Sequence, residues 1–395
     1  MSQSQSLPAA RFLAPRHAAV YAAVFGGVGI YMPFWPLWLS GRGLDAAQIG
    51  LAFALVAWTR VVASPLIAQV ADASGRAKDT MLAAMAIGFV TFLALVPAQG
   101  YLPILLLMLL GACTWGAIGP LIESLTLAAA SARRLDYGRV RLWGSVAFVA
   151  ASFIAGWVIA GGSSEVVLFL ILGTQATALL AIAYLPVARS APNRASLGGL
   201  FGLLRDRSYL LFLATNAALQ GSHAVYYSFS AIHWQAAGYS AATVGWLWAE
   251  GVIAEILLFV FAAATVGRLG PRRLLAIAAL GGIVRWSVLG STSDLATLAV
   301  VQLLHAATFG AAHLAAMNML ARAAPPGLAH SAQALYTAVV MGLGIGLATL
   351  AAGVLFDRIG GQAYYAMAGL SFVALLLVPL LTPRAAPGGP PLPPN

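Results

Sequence analysis

Stretches of apolar residues long enough to cross a bilayer recur from one end of this chain to the other, and no other feature restricts its fold as much. Of the 395 residues 61% are apolar, roughly 240, and at about 20 residues per crossing that supplies about twelve spans. Twelve stretches can be placed. They run over 18–39, 47–71, 80–98, 101–130, 141–160 and 165–187 in the first half, and over 209–235, 241–266, 271–290, 295–320, 331–356 and 362–382 in the second. Only 8% of residues are charged, against about 25% in soluble domains. That excludes a soluble enzyme, a nucleic-acid-binding protein and a disordered chain. The class is an all-α polytopic membrane protein whose main partner is the lipid bilayer.

The net charge of +10 has to be read by position, because the cytoplasmic loops of membrane proteins collect Lys and Arg. Seventeen of the 21 basic residues fall on one side, from Arg11 and Arg16 through Arg76, Lys78 and Arg139 to Arg272, Arg273 and Arg384. Only Arg42 and Arg358 fall on the other, and Arg60 and Arg285 remain inside spans. Both termini are therefore expected in the cytoplasm. Residues 1–15 have no apolar core followed by a small-residue cleavage site, so no cleavable signal peptide is expected. Cys113 is the one cysteine, which leaves no intrachain disulfide and no cysteine metal site.

The longest and most polar connection, Ala188–Ser208, separates two sets of six spans. The expected organisation is thus 1–187, a cytoplasmic linker 188–208, 209–382, and a Pro- and Gly-rich disordered tail 383–395. Within the linker, Leu197–Leu204 is apolar enough to lie on the inner membrane surface. A shift of 195 positions aligns Tyr31 with Tyr226, Gly43 with Gly238, Gly50 with Gly245, Gly75 with Gly270 and Lys78 with Arg273. The register holds without gaps across two spans and their flanking turns, as a duplication would leave it. Two parallel six-span repeats with a site near the midplane describe the major facilitator fold.

Charges inside spans cost about 2.5–3.5 kcal/mol each at the bilayer centre, so they persist where they pair or line a watery cavity. Here they are Arg60, Glu123, Glu250, Glu255 and Arg285, with Arg141 at the inner end of a span. Under the 195 shift Arg60 coincides with Glu255, which suggests facing positions around one central cavity. Two readings stand: a proton-carrying carboxylate beside an arginine, or a static ion pair that fixes helix packing. In span 7 Asn216, Gln220, His223, Tyr227 and Ser230 recur every three or four residues, one polar face on an apolar helix. That face meets water and substrate, or else it serves helix–helix hydrogen bonding. Gln302 and His305 share a face of span 10. Tyr31, Phe34, Trp35 and Trp38 in span 1 form an aromatic belt or a stacking surface for an aromatic ligand. No metal cluster, nucleophile–base set or phosphate-binding loop is present, so neither an enzyme nor an ATP-driven pump is indicated and no cofactor is expected.

The turn after span 2, Ala68-Gln-Val-Ala-Asp72-Ala-Ser-Gly75-Arg76-Ala-Lys78, resembles the signature turn of the major facilitator superfamily, with Ala68 in place of its first glycine. Its partner Gly267-Arg268-Leu-Gly270-Pro-Arg272-Arg273 keeps glycine and bases but lacks the acid. The glycines permit tight turns and the bases cap helix carbonyl ends. A gating role for Asp72, Gly75 and Arg76 stands beside that of a plain hairpin. Pro33–Leu39 and Tyr137–Ser145 resemble the lactose permease branch of the superfamily. Asp136–Val149, Tyr227–Ala242, Gly251–Ile256 and Leu304–Met317 resemble the bacterial 3-phenylpropionate permease family more closely still.

The resemblance to sugar permeases implies that Glu123 and Arg141 correspond to a substrate-binding pair, and Arg285 and His305 to part of a proton-coupling network. The proton-releasing Glu of that pattern is Thr308 here, and its sugar-contacting Glu in span 8 is Val252. Proton coupling accordingly falls to Glu255, then Glu123. For a carboxylate substrate the counter-charge is Arg141 first and Arg60 second, with Tyr31, Trp35, His223 and Tyr227 around it. The resemblance implies a monomeric transporter in the bacterial inner membrane that imports a small aromatic acid together with protons. A proton symporter for sugars or nucleosides and an exporter are the alternatives on the same fold. A non-transporting sensor or scaffold has little reason to bear the intramembrane charges.

Overall fold

The computed structural model describes residues 12–131, 135–186, 203–323 and 329–381. Most of the linker 188–208 and the tail 383–395 lie outside the described residues. Among those described, regular structure is helical throughout, with no strands, and ten helical stretches are long and apolar enough to cross a membrane. One of them, Ala332–Leu380, has 49 residues and is interrupted by a 3₁₀ turn at Gly360–Ala363, so it supplies two crossings. Span 7 falls short of the length because it is broken into Arg207–Gly221 and Ala224–Ala236. Counting both gives the twelve spans expected.

Several spans depart from one smooth helix. Span 1 is continuous from Leu13 to Gly41 although Pro33 and Pro36 lie within it. Span 4 is Tyr101–Trp115 followed by Ile118–Ser131, with the break at Gly116 and Ala117. Span 10 passes through a π-helical turn at Ala306–Ala311, and span 11 through another at Thr337–Gly344. Such turns insert an extra residue into the hydrogen-bond ladder and rotate the side chains that follow. A 3.6-residue periodicity read from sequence is blind to them.

The duplication has a backbone signature. Gly43 and Gly238, 195 apart, both hold positive φ (83° and 93°), and so do Gly75 and Gly270 (62° and 71°). These are the turns before spans 2 and 8 and after them, where only glycine adopts the left-handed conformation without strain. The capping role of the bases is also met at equivalent places. Lys78 Nζ donates to the carbonyls of Ala183 and Leu185 at the end of span 6, and Arg272 donates to Pro379 at the end of span 12.

The chain divides into two compact units. The first contains the described residues of Met1–Leu44, Thr59–Arg194 and Gly238–Ala249; the second, those of Asp45–Trp58, Ala195–Ala237 and Glu250–Asn395. Spans 2 and 8 each contribute to both. Within the first unit, span 1 packs along spans 5 and 6, and buried Val20, Tyr21, Met81, Met85, Ile118 and Ile182 form a core. At one end Arg42 donates to both carboxylate oxygens of Glu165 (2.6 and 2.7 Å) and to the carbonyls of Ala98 (2.6 Å) and Val96 (3.0 Å). One guanidinium thus ties together the turns after spans 1 and 3 and the start of span 6. Within the second unit, the helix after Gly270 packs against spans 10 and 12 around Leu274, Leu275, Ala278 and Ala315.

Membrane helices gain little from hydrophobic burial against one another, so close approach of small residues has to supply the packing. A Cβ on Gly50 would lie 2.6 Å from Gly353 Cα in the second unit, and one on Gly245 would overlap the Ser152 carbonyl in the first. Gly50 and Gly245 are again repeat partners.

Candidate functional site

The second unit gathers its intramembrane charges into one buried cluster. Arg285 is fully buried, with its guanidinium 4.6 Å from both the Tyr226 and the Trp286 ring centroids. Its Nη2 donates to Gln302 Oε1 (2.8 Å), and its Nη1 donates to His305 Nδ1 (3.1 Å) and to Thr308 Oγ1 (3.0 Å). Gln302 passes the network on, its Nε2 donating to the Tyr226 hydroxyl (2.9 Å). The other nitrogen of His305, Nε2, faces Glu255 Oε2 at 3.4 Å. His223 joins from span 7 through Thr308, with Nε2 3.3 Å from Oγ1.

Local structure explains this convergence. The break in span 7 falls at His223, so its Nδ1 reaches the Leu219 carbonyl (3.1 Å) and Ser222 accepts a hydrogen bond from Trp286 Nε1 (3.1 Å). The π-helical turn of span 10 contains Thr308. Gly251 lets span 8 approach span 10 closely, since a Cβ there would lie 3.3 Å from His305 Cβ. Gly310 does the same beneath Glu255, at 3.4 Å from its Cγ.

The three residues assigned to proton coupling, Glu255, Arg285 and His305, therefore form a chain in which His305 touches both of the others. The polar face of span 7 is internal to its unit: Asn216, Gln220, His223 and Ser230 are all buried, and Tyr227 is half-buried with its ring stacked on His223 (5.3 Å). Gln302, Thr308, Tyr226 and Trp286 complete the cluster without having been assigned a role from sequence. Gln302 gave a signal, lying three residues before His305 on the same helix face. Neutral polar and aromatic residues in the middle of spans are otherwise too common to stand out.

In the first unit Arg60 is exposed midway along span 2 and has no described carboxylate within ion-pair distance. It lies over the break in span 4, where a Cβ on Gly116 would come 2.7 Å from its Nε. Its charge acts on Tyr31, whose ring stacks on Trp35 (5.5 Å) and meets Trp115 edge-on (5.2 Å). Trp35 is fully buried and stacked on Trp38 at 4.5 Å, with Phe92 at 5.5 Å, so these tryptophans belong to the unit's core and not to a lipid-facing belt.

Glu123 and Arg141 do not form an ion pair. Glu123 accepts a short hydrogen bond from the Tyr137 hydroxyl, while the Arg141 guanidinium lies 4.2 Å from the Phe25 ring centroid and 5.6 Å from that of Tyr21. In the turn after span 2, Arg76 pairs with Asp79 (2.7 Å), and Asp72 is exposed, its carbonyl accepting from Gly75 N–H (3.3 Å). Among the described residues no three His, Cys, Asp or Glu side chains gather where one metal ion could be held.

The model of the MFS_1 like family matches residues 16–367. A probable 3-phenylpropionic acid transporter of Escherichia coli (strain K12) is 37% identical over 368 residues, 92% of this chain and 96% of that protein. A maltose permease of Geobacillus stearothermophilus is 27% identical, over 93% of this chain and 94% of its own length. Among solved structures, the nucleoside transporter NupG (D323A mutant) superposes with a TM-score of 0.85 at 17% identity, covering 93% of this chain and 99% of that one.

Proposed function

The chain belongs to the MFS_1 like family of membrane transporters, and we propose that it takes up a small aromatic carboxylate such as 3-phenylpropionate together with protons. The observation that carries this reading is Arg60. A guanidinium exposed at mid-span without a carboxylate partner is costly unless it faces water or an anion. Its fork fits a carboxylate, and Tyr31 beside it offers a ring to an aromatic body. Arg141, occupied by Phe25 and Tyr21, takes second place. Glu255, held by His305 and through it by Arg285, carries the exchangeable proton.

Transport proceeds by alternating access of halves 1–187 and 209–382 to a central site, with the turn at Asp72, Gly75 and Arg76 taking part in gating. The protein works as a monomer in a bacterial inner membrane with both termini in the cytoplasm. Similarity to the maltose permease supports a second reading, sugar–proton symport, and the engagement of Glu123 by Tyr137 counts against it.

Uptake of labelled 3-phenylpropionate into proteoliposomes, with and without an inward proton gradient, tests the proposal. Accumulation driven by the gradient and lost in Glu255→Gln, with downhill exchange retained, is the expected result. Absence of both binding and uptake at any gradient would overturn the substrate, and a screen of sugars and nucleosides would follow.

A further inference from the structure

Hydrogen-bond directions around Arg285 fix where protons sit on two histidines. The Leu219 carbonyl can only accept, so the hydrogen of neutral His223 is on Nδ1 and its Nε2 is a lone pair. Arg285 can only donate, so Nδ1 of His305 is a lone pair and its hydrogen is on Nε2, aimed at Glu255. Thr308 stands between them. Its oxygen receives Arg285 Nη1, and its own hydrogen is left for His223 Nε2. The two histidines therefore hold opposite tautomers, and one hydroxyl links the choices.

We infer that Thr308 is a positioning residue of the proton site: by occupying His223 Nε2 and sharing Arg285 Nη1 with His305, it confines the exchangeable proton to Glu255. Either histidine could gain a proton only by setting a second positive charge against Arg285. For His305 the gain would also expel the guanidinium N–H from Nδ1. Gln302 accepts from Nη2 and donates to the Tyr226 hydroxyl, and the Tyr226 ring lies against the guanidinium; Trp286 and Tyr227 wall His223, and Phe309 stacks on His305. Thr308 is 1% exposed and sits in the π-helical turn, so the backbone irregularity that brings its hydroxyl to this point is itself part of the arrangement.

This inference rests on the proton-coupled reading above, and its test separates the two. Thr308→Val removes the hydroxyl and keeps the shape, whereas Thr308→Ser keeps the hydroxyl. Gradient-driven uptake of 3-phenylpropionate is measured against pH for wild type and both variants. Wild type and Thr308→Ser are expected to show a single ionisation limb. Thr308→Val is expected to show a second limb, as a histidine freed of the hydroxyl begins to compete for the proton, with its KM for exchange within about twofold of wild type. Superimposable profiles for Thr308→Val and wild type would overturn the inference. So would equal failure of Thr308→Ser and Thr308→Val, which would mark a packing role.

Nitrogen-15 solid-state NMR of histidine-labelled protein in lipid supplies a readout that needs no substrate. The expected tautomers are Nδ1–H at His223 and Nε2–H at His305, with the His223 Nε2 resonance shifted in Thr308→Val by loss of its hydrogen-bond donor. The same tautomer at both histidines in wild type overturns the inference even if uptake is proton-driven. Correct tautomers without any uptake overturn the substrate reading alone.

Discussion

Arg60 and Arg285 both sit in mid-membrane, and their surroundings assign them opposite fates. Arg285 spends its donors on Gln302, His305 and Thr308 and stacks on two rings, so it is structural capital of the cluster. Arg60 has no such partners, and a substrate carboxylate would supply them. Charge-assisted hydrogen bonds are worth about 1.5–3 kcal/mol, so Arg60→Gln should weaken binding of 3-phenylpropionate by about 10- to 100-fold. Binding of its uncharged amide should change little, and isothermal titration of both ligands makes the comparison. Equal losses for acid and amide would remove Arg60 from the carboxylate site. The sequence exposed Arg60, Glu255, Arg285 and His305 because ionisable groups are conspicuous in apolar spans. It could not separate Glu123 and Arg141, 18 residues apart, because nothing in that spacing shows that Tyr137 takes the carboxylate and Phe25 the guanidinium.

Helices in this chain are held by glycine contacts and by staples at their ends, and one substitution type can be predicted with opposite signs. Gly353 lies mid-helix with Gly50 Cα 2.8 Å from where its Cβ would be, whereas Gly173, also mid-helix, has nothing within 4 Å. Gly353→Ala should destabilise by about 1–3 kcal/mol through forced separation of two backbones. Gly173→Ala should be neutral or stabilise by up to about 1 kcal/mol through helix propensity. Thermal melts in one detergent compare the two, and equal shifts would refute the packing argument.

The Arg42–Glu165 staple adds a pH dependence. Glu165 stands just before its helix, and the hydrogen bond from Arg42 holds its carboxyl below the ordinary range, helped by the Trp38 indole N–H and opposed by partial burial. A carboxyl lowered on folding stabilises the fold above its unfolded value, about 4.3, and loses that contribution as pH falls through the folded value. With the carboxylate side chain 39% exposed, solvent screening limits the gain to about 0.5–1 kcal/mol. Glu165→Gln should therefore melt earlier than wild type at pH 7, and the gap should close below about pH 4. Span positions were legible from apolar length alone. The breaks at Gly116 and His223 and the π-helical turns were not, since a helix that bends around a buried polar group keeps its apolar composition.

At the scale of the whole molecule, the 195-residue repeat reached from sequence into geometry: paired glycines share positive φ, and Lys78 and Arg272 cap equivalent helix ends. The sequence halves divide at the linker, but residues 45–58 and 238–249 cluster with the opposite unit, an exchange that only three-dimensional contacts reveal. The same bases carry the prediction about orientation. By the sequence reading seventeen Lys and Arg fall on one side and two on the other, and translocation disfavours clustered positive charge, so the Lys78 and Arg272 side should remain in the cytoplasm. Green fluorescent protein fused after Asn395 should fluoresce, and alkaline phosphatase inserted in the turn at Gly161–Ser163 should be active. The reverse pattern would invert every span. Changing Lys78 and Arg272 together to Gln leaves fifteen bases on that side, too strong a bias to flip. It removes two helix caps, each worth about 0.3–1 kcal/mol. The double variant should therefore keep the wild-type fusion pattern while melting at a lower temperature. A changed topology with unchanged stability would show that these two bases act on insertion and not on the folded helices.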